Sequence, residues 1–117
     1  MKGTPVGLHR SSPSVLDAYF AALSDPIRRD IIRTLLHEPR RAGELAVCVA
    51  MSPQALSRHL RVLRKTGLVV EQGLKEDARV RIYSVSALGL EPVQEWLWRI
   101  EELCQRQLHT HRPRRLR

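Results

Sequence analysis

A chain of 117 residues with 43% apolar content can build one modest hydrophobic core but hardly two, and no apolar run approaches the ~18 residues that cross a bilayer. Aromatic residues make up only 4%, so aliphatic side chains must fill the core, which argues against a single-strand binder built on exposed aromatic platforms. The formal net charge is +8, yet residues 14–111 hold 14 basic groups against 12 acidic ones, so most of the excess sits at the two ends.

Residues 1–13 mix Gly, Pro, Ser and scattered charge without periodicity, and 109–117 (HTHRPRRLR) do the same with Pro and Arg. The pattern predicts two mobile arms around a folded part at 14–108. The first helix is expected over Ser14 to Leu23, with Leu16, Tyr19, Phe20 and Leu23 on one apolar stripe. At Asp25-Pro26 a side chain that can accept from a first-turn amide precedes a residue without an N–H, so a second helix should begin at once. Ile27, Ile31, Ile32, Leu35 and Leu36 would carry its buried face to about His37, before Pro39 stops it.

A third, short helix fits Ala42 to Ala50, with Leu45 and Val49, and also Cys48, facing inward. Ser52-Pro53 repeats the cap-then-proline signature and starts a fourth helix, which makes the pair a helix-turn-helix. In the fourth helix Leu56, Leu60 and Leu63 form the inward stripe, and Gly67 is placed to close it in a left-handed conformation. Gln54, Ser57, Arg58 and Arg61 stand at i, i+3, i+4 and i+7 on a second, polar stripe, and Pro53 to Thr66 contains no acid.

Leu68–Gln72 and Arg79–Val85 read as a β-hairpin, the second run alternating Arg79, Arg81 and Tyr83 against Val80, Ile82 and Ser84. A hairpin after a helix-turn-helix is a wing. Pro92 opens a long last helix to about Leu108, with Val93, Trp96, Leu97, Ile100, Leu103, Cys104 and Gln107 near a seven-residue repeat. The expected fold is mainly α with a small two-stranded wing: a winged helix-turn-helix of about five helices.

A helix fits the major groove of B-DNA, where Arg can grip a guanine and Gln an adenine through paired hydrogen bonds, which makes Arg58 and Gln54 the candidate base readers. Ser52, Ser57 and His59 suit phosphate or base contacts near the helix start. Arg61, Arg64 and Lys65 lie further along and suit phosphates, which set position and salt dependence without reading sequence. On the wing, Lys75, Arg79 and Arg81 are candidates for the backbone or the minor groove, against the plainer reading of an edge hairpin protected by charge, since Glu76 and Asp77 share the turn.

The segment from Phe20 to Leu36, Gly43-Glu44-Leu45-Ala46, Ser52 to Val69 and Arg79 to Tyr83 together resemble the ArsR/SmtB family of winged-helix repressors. Ser57 to Leu63, with its Ser-x-His-Leu-x-x-Leu pattern, is the most specific part. The resemblance implies a homodimer paired through its first and last helices, by Leu16, Tyr19 and Phe20 and by Val93, Trp96, Leu97, Ile100, Leu103 and Cys104. It also implies a double-stranded operator read in successive major grooves about 34 Å apart and repression by covering a promoter. A cytoplasmic location is expected on other grounds, the lack of a membrane-length apolar run and of an apolar signal-peptide core in MKGTPVGLHRSSP.

Metal-sensing members carry two cysteines in a Glu-Leu-Cys-Val-Cys pattern, and here Ala46 stands in place of the first thiol, so Cys48 alone cannot complete a site. The last helix also lacks the His of the other common site. Cys104, His109 and His111 form the one arrangement of sulfur and nitrogen ligands left, set in a tail expected to be mobile, and no cofactor is expected. Cys48 and Cys104 read as free thiols, with a redox pair as the alternative. Catalysis is not expected either: Ser57 and His59 point about 200° apart on one helix and cannot form a dyad. The competing classes are a nonspecific architectural DNA binder and a protein-interaction module on the same fold.

Overall fold

The computed structural model describes residues 14–111, with side chains to residue 109; the expected arm at 1–13 lies outside the described residues, and of the arm expected at 109–117 only 109–111 are described, where they continue a helix. Eight elements follow in order: α1 (Val15–Leu23), α2 (Pro26–His37), β1 (Arg40–Arg41), α3 (Ala42–Cys48), α4 (Pro53–Thr66), β2 (Val69–Gly73), β3 (Arg81–Val85) and α5 (Glu91–His111). Local chemistry sets most boundaries. Ser14 Oγ accepts from Asp17 N while Asp17 Oδ2 accepts from Ser14 N, a reciprocal cap that starts α1. Asp25 Oδ1 accepts from Ile27 N at 2.8 Å and Ser52 Oγ from Ala55 N at 3.2 Å, each just before a proline at the helix start. Gly67, at φ 90°, ends α4, with its own N–H on Arg64 O and that of Leu68 on Leu63 O.

α1 to α4 enclose one core with the sheet. Tyr19 and Ala22 of α1, Ile31, Ile32 and Leu35 of α2, Leu45 and Ala46 of α3, and Leu56, Leu60 and Leu63 of α4 meet Leu68, Val69 and Tyr83. Ile27 and Leu36, expected on the buried face of α2, are exposed, because the three residues between them fill the space facing the core.

The wing departs from expectation in strand number. It is three-stranded in the order β1-β3-β2, all antiparallel, with Arg40 opposite Tyr83 and Glu71 also opposite Tyr83. Two residues after a proline carry no alternation, so β1 has no periodic signal; it forms because the free edge of β3 accepts it. Tyr83 turns out to be buried, whereas the alternation had set it with the arginines.

α3 ends at Cys48, two residues before its expected end. Ala50 takes a left-handed conformation at φ 54°, donating to Val47 O at 3.2 Å while Met51 N reaches back to Ala46 O at 3.0 Å. Ala46 therefore faces the core, and Cys48 is exposed rather than inward. The last helix continues to His111, beyond the expected Leu108. Among the described residues no helix is long and apolar enough to cross a membrane.

Candidate nucleic-acid interface

α4 presents two unlike faces. Leu56, Leu60 and Leu63 are buried, while Gln54, Ser57, Arg58, Arg61 and Lys65 are all exposed on the opposite side. The structure thus brings the candidate base readers Gln54 and Arg58 onto one open surface with two further cations. Arg64 and Lys65 occupy the last turn, where positive charge also complements the carbonyl end of the helix. Ser52 is committed to capping α4, its Oγ held by Ala55 N.

Between the C-terminal half of α4 and the sheet runs a groove lined by Arg61, Arg64, Lys65, Val70, Glu71 and Arg81. Among the described residues Glu71 is the sole acid lining it, and it gathers three partners: Arg64 at 3.2 Å on Oε1, and Arg81 at 3.3 Å and the Tyr83 hydroxyl at 3.1 Å on Oε2. Burial alone would raise the Glu71 carboxyl, but the hydrogen bonds from Tyr83 and Arg81 and the charges of Arg64 and Arg81 hold it below its usual range. The Tyr83 hydroxyl is raised, by burial first and then by Glu71. Arg64 and Arg81 are therefore anchored rather than freely projecting, though each stays about half exposed. Glu71 carried no expectation from sequence. The signal that would have found it is strand register, since the Glu71 to Tyr83 pairing sets one acid beside two arginines.

His59 also behaves differently from expectation. It turns away from the polar face toward α2, where Arg28 Nη1 donates to His59 Nδ1 at 3.2 Å and Asp25 Oδ2 lies 3.9 Å from the same atom. The Asp25 carboxyl is held below its usual range by the Ile27 amide first, despite some desolvation, with help from Arg28. On the wing, Lys75 is exposed and Arg79 projects beside Asp77, which it binds through both its backbone N–H and its guanidinium.

Of the residues expected at a subunit interface, Leu16 and Val93 are half-buried, and Phe20, Trp96, Leu97, Ile100, Leu103 and Cys104 are exposed. Phe20 meets Trp96 edge to face, ring centroids 5.5 Å apart, which joins α1 and α5 into one apolar surface. Tyr19 does not share it: at 6% exposure it belongs to the core. Trp98, which no pattern singled out, is exposed on the other side of α5.

Among the described residues no group of three or more His, Cys, Asp or Glu could hold a metal. Cys104 and His109 lie about 140° apart around α5, and His109 Nδ1 donates to Gln105 O at 3.0 Å. The side chain of His111, the third candidate, lies outside the described residues.

Residues 23–72 match the family described as a helix-turn-helix domain. Over 107 residues the chain is 30% identical to the transcriptional activator HlyU of Vibrio cholerae, covering 90% of this chain and 94% of that protein. It is 36% identical over 74 residues to the HTH-type transcriptional regulator Rv2034 of Mycobacterium tuberculosis, covering 63% of this chain and 66% of that protein. The fold superposes on an ArsR-like transcriptional regulator from Rhodococcus sp. RHA1 with a TM-score of 0.71 and 30% identity, over 90% of this chain and 92% of that one.

Proposed function

The chain belongs to the ArsR family of winged helix-turn-helix transcriptional regulators, and on that premise we propose that it is a cytoplasmic homodimeric repressor that covers a promoter operator. Each subunit inserts α4 into a major groove, with Gln54 and Arg58 reading bases and Arg61 and Lys65 holding phosphates. The observation that carries this reading is the exposed, acid-free polar face of α4 directly opposite its buried leucines. The second copy follows from the apolar surface of Phe20, Trp96, Leu97, Ile100 and Leu103, which a soluble single chain would leave in water. Under a two-fold axis this surface is self-complementary, and the paired subunits present two copies of α4 to one side of a duplex.

Repression by occlusion needs nothing beyond tight binding over a promoter. The relative named as an activator makes the opposite sign of regulation the second reading. The test is fluorescence anisotropy on the duplex upstream of the chain's own coding sequence beside a scrambled duplex, over a salt series with metal chelated. Operator binding should exceed scrambled binding by ~10³-fold or more. Equal, steeply salt-dependent binding to both would favour a nonspecific architectural role, and no binding to either would favour a protein partner. Transcription from the bound promoter in vitro then gives the sign.

A further inference from the structure

α4 is attached to the rest of the fold along its leucine edge. Apolar burial fixes how closely a helix lies but is non-directional, so it controls the helix's rotation about its own axis weakly. Two polar clasps bracket that edge. At about 100° per residue, His59 lies about 70° to one side of the leucines and Arg64 about 70° to the other, and the residues proposed to face DNA fill the remaining arc. Arg64 is tied to the wing through Glu71.

The His59 clasp is centred on Arg28, outside the recognition helix, and all three guanidinium nitrogens are used. Nε donates to Ala22 O at 2.7 Å and Nη2 to Ala21 O at 3.2 Å, both at the end of α1, while Nη1 donates to His59 Nδ1 at 3.2 Å. Asp25 Oδ2 stands 3.7 Å from Arg28 Nη1 and 3.9 Å from His59 Nδ1, and the other oxygen of that carboxylate is held by the Ile27 amide. The Arg28 and His59 side chains are 17% and 19% exposed, so water competes little for these bonds. A guanidinium only donates, so Nδ1 of His59 must accept, and the neutral ring carries its proton on Nε2.

We infer that Arg28 is a positioning residue for base readout: through His59 it fixes the rotation of α4, and with it the aim of Gln54 and Arg58, without touching DNA itself. The inference rests on α4 being the DNA-reading helix, as proposed above. A rotation of about 10° moves a side-chain tip on a helix about 10–12 Å across by about 1 Å. Paired hydrogen bonds to a base tolerate a distance range of only about 0.5 Å, whereas long cations reaching for phosphates adjust their rotamers. Loosening the clasp therefore costs sequence preference and spares general affinity.

The test uses the full chain with Arg28→Lys, which keeps the charge but replaces the planar fork with a point donor. The probes are a duplex selected by the unmodified protein from a randomised pool and a scrambled duplex of equal length. Arg28→Lys should lower affinity for the selected duplex about tenfold or more, the discrimination that one paired base contact supplies. Scrambled affinity and salt slope should stay unchanged. His59→Ala should lose no further preference in the Arg28→Lys background, and the His59 ring nitrogens should shift in NMR spectra of Arg28→Lys without DNA. Unchanged selected binding, or equal losses on both duplexes, overturns the inference. Failure of the unmodified protein to select any sequence overturns the function reading beneath it as well.

Discussion

Gly89 lies where the chain leaves the sheet to enter α5, and replacing it with alanine tests the joint between that helix and the end of α4. A Cβ at this position would stand 2.6 Å from Gly67 O, 3.1 Å from Ser86 Cβ and 3.2 Å from Leu68 Cα. Two of these obstacles are backbone, and neither is free to yield. Gly67 and Leu68 are tied by their amides to Arg64 O and Leu63 O, and Leu68 O accepts from Ser86 N at 3.0 Å. Relieving the contact means a shift of about half an ångström in the loop or in the end of α4, and overpacking of this kind costs about 1–3 kcal/mol. Gly43 is the control, because a Cβ there meets nothing within 4 Å and the residue lies within α3. Gly43→Ala should stabilise the protein by about 0.5–1 kcal/mol through helix propensity alone. Urea denaturation at one fixed protein concentration should therefore move the two midpoints in opposite directions at an unchanged slope, with the larger shift for Gly89→Ala. A Gly89→Ala midpoint at or above that of the unmodified chain would refute the joint.

At the proposed interface with DNA, Arg58→Ala should lose about 1–3 kcal/mol on a selected operator and relax its base preference, whereas Lys65→Ala should weaken operator and scrambled duplexes alike and lower the salt slope by about one. Equal losses on both duplexes for Arg58→Ala would remove it from base readout. Trp96→Glu places a charge in the apolar surface of α1 and α5 and should leave a monomer in sedimentation at micromolar concentration. A persistent dimer would remove α5 from the interface. Glu71 is held below its usual value near 4.5, so near that pH the unfolded chain binds more protons than the folded one, and stability must fall as pH drops through the lower folded value. Thermal melts across that acid range should show a shallower fall for Glu71→Gln, and an identical acid limb would show that the Arg64, Arg81 and Tyr83 contacts do not hold the carboxylate.

The elements easiest to read from sequence were those punctuated by covalent chemistry. Asp25-Pro26, Ser52-Pro53 and Gly67 mark the starts of α2 and α4 and the end of α4 in the structure, because a missing N–H and a left-handed φ are properties of single residues. The leucine edge of α4 was equally legible, since helical spacing assigns a face. Spacing does not say what packs beside that face, and there the reading fell short. His59 sits on a flank and is captured by Arg28, thirty-one residues away in sequence. Glu71 and the arginines it anchors depend on strand register, which a loose six-residue turn at 73–78 leaves open. The end of α3 was overrun because Ala50 is a good helix former that hydrogen bonding nevertheless holds in a left-handed turn. Tyr19, apolar and on the right stripe for a subunit contact, was claimed by the core of its own chain.

Ala50 also bears on how the proposed recognition helix could be retargeted. Its conformation carries strain of about 1–2 kcal/mol for a residue with a Cβ, whereas glycine there would widen the unfolded ensemble at a cost of only about 0.4–1 kcal/mol. Exchange of Ala50 for glycine should therefore be neutral to mildly stabilising, and a β-branched side chain is what the corner would reject. A library that randomises Gln54, Ser57 and Arg58 could thus carry either small residue at position 50 without disturbing the angle between α3 and α4. Grafting those two helices as one cassette, with Ala46 and Met51 retained to close the corner, would keep the hydrogen bonds of the turn itself but leave Arg28 and Glu71 behind, so the host fold would have to supply both clasps on α4.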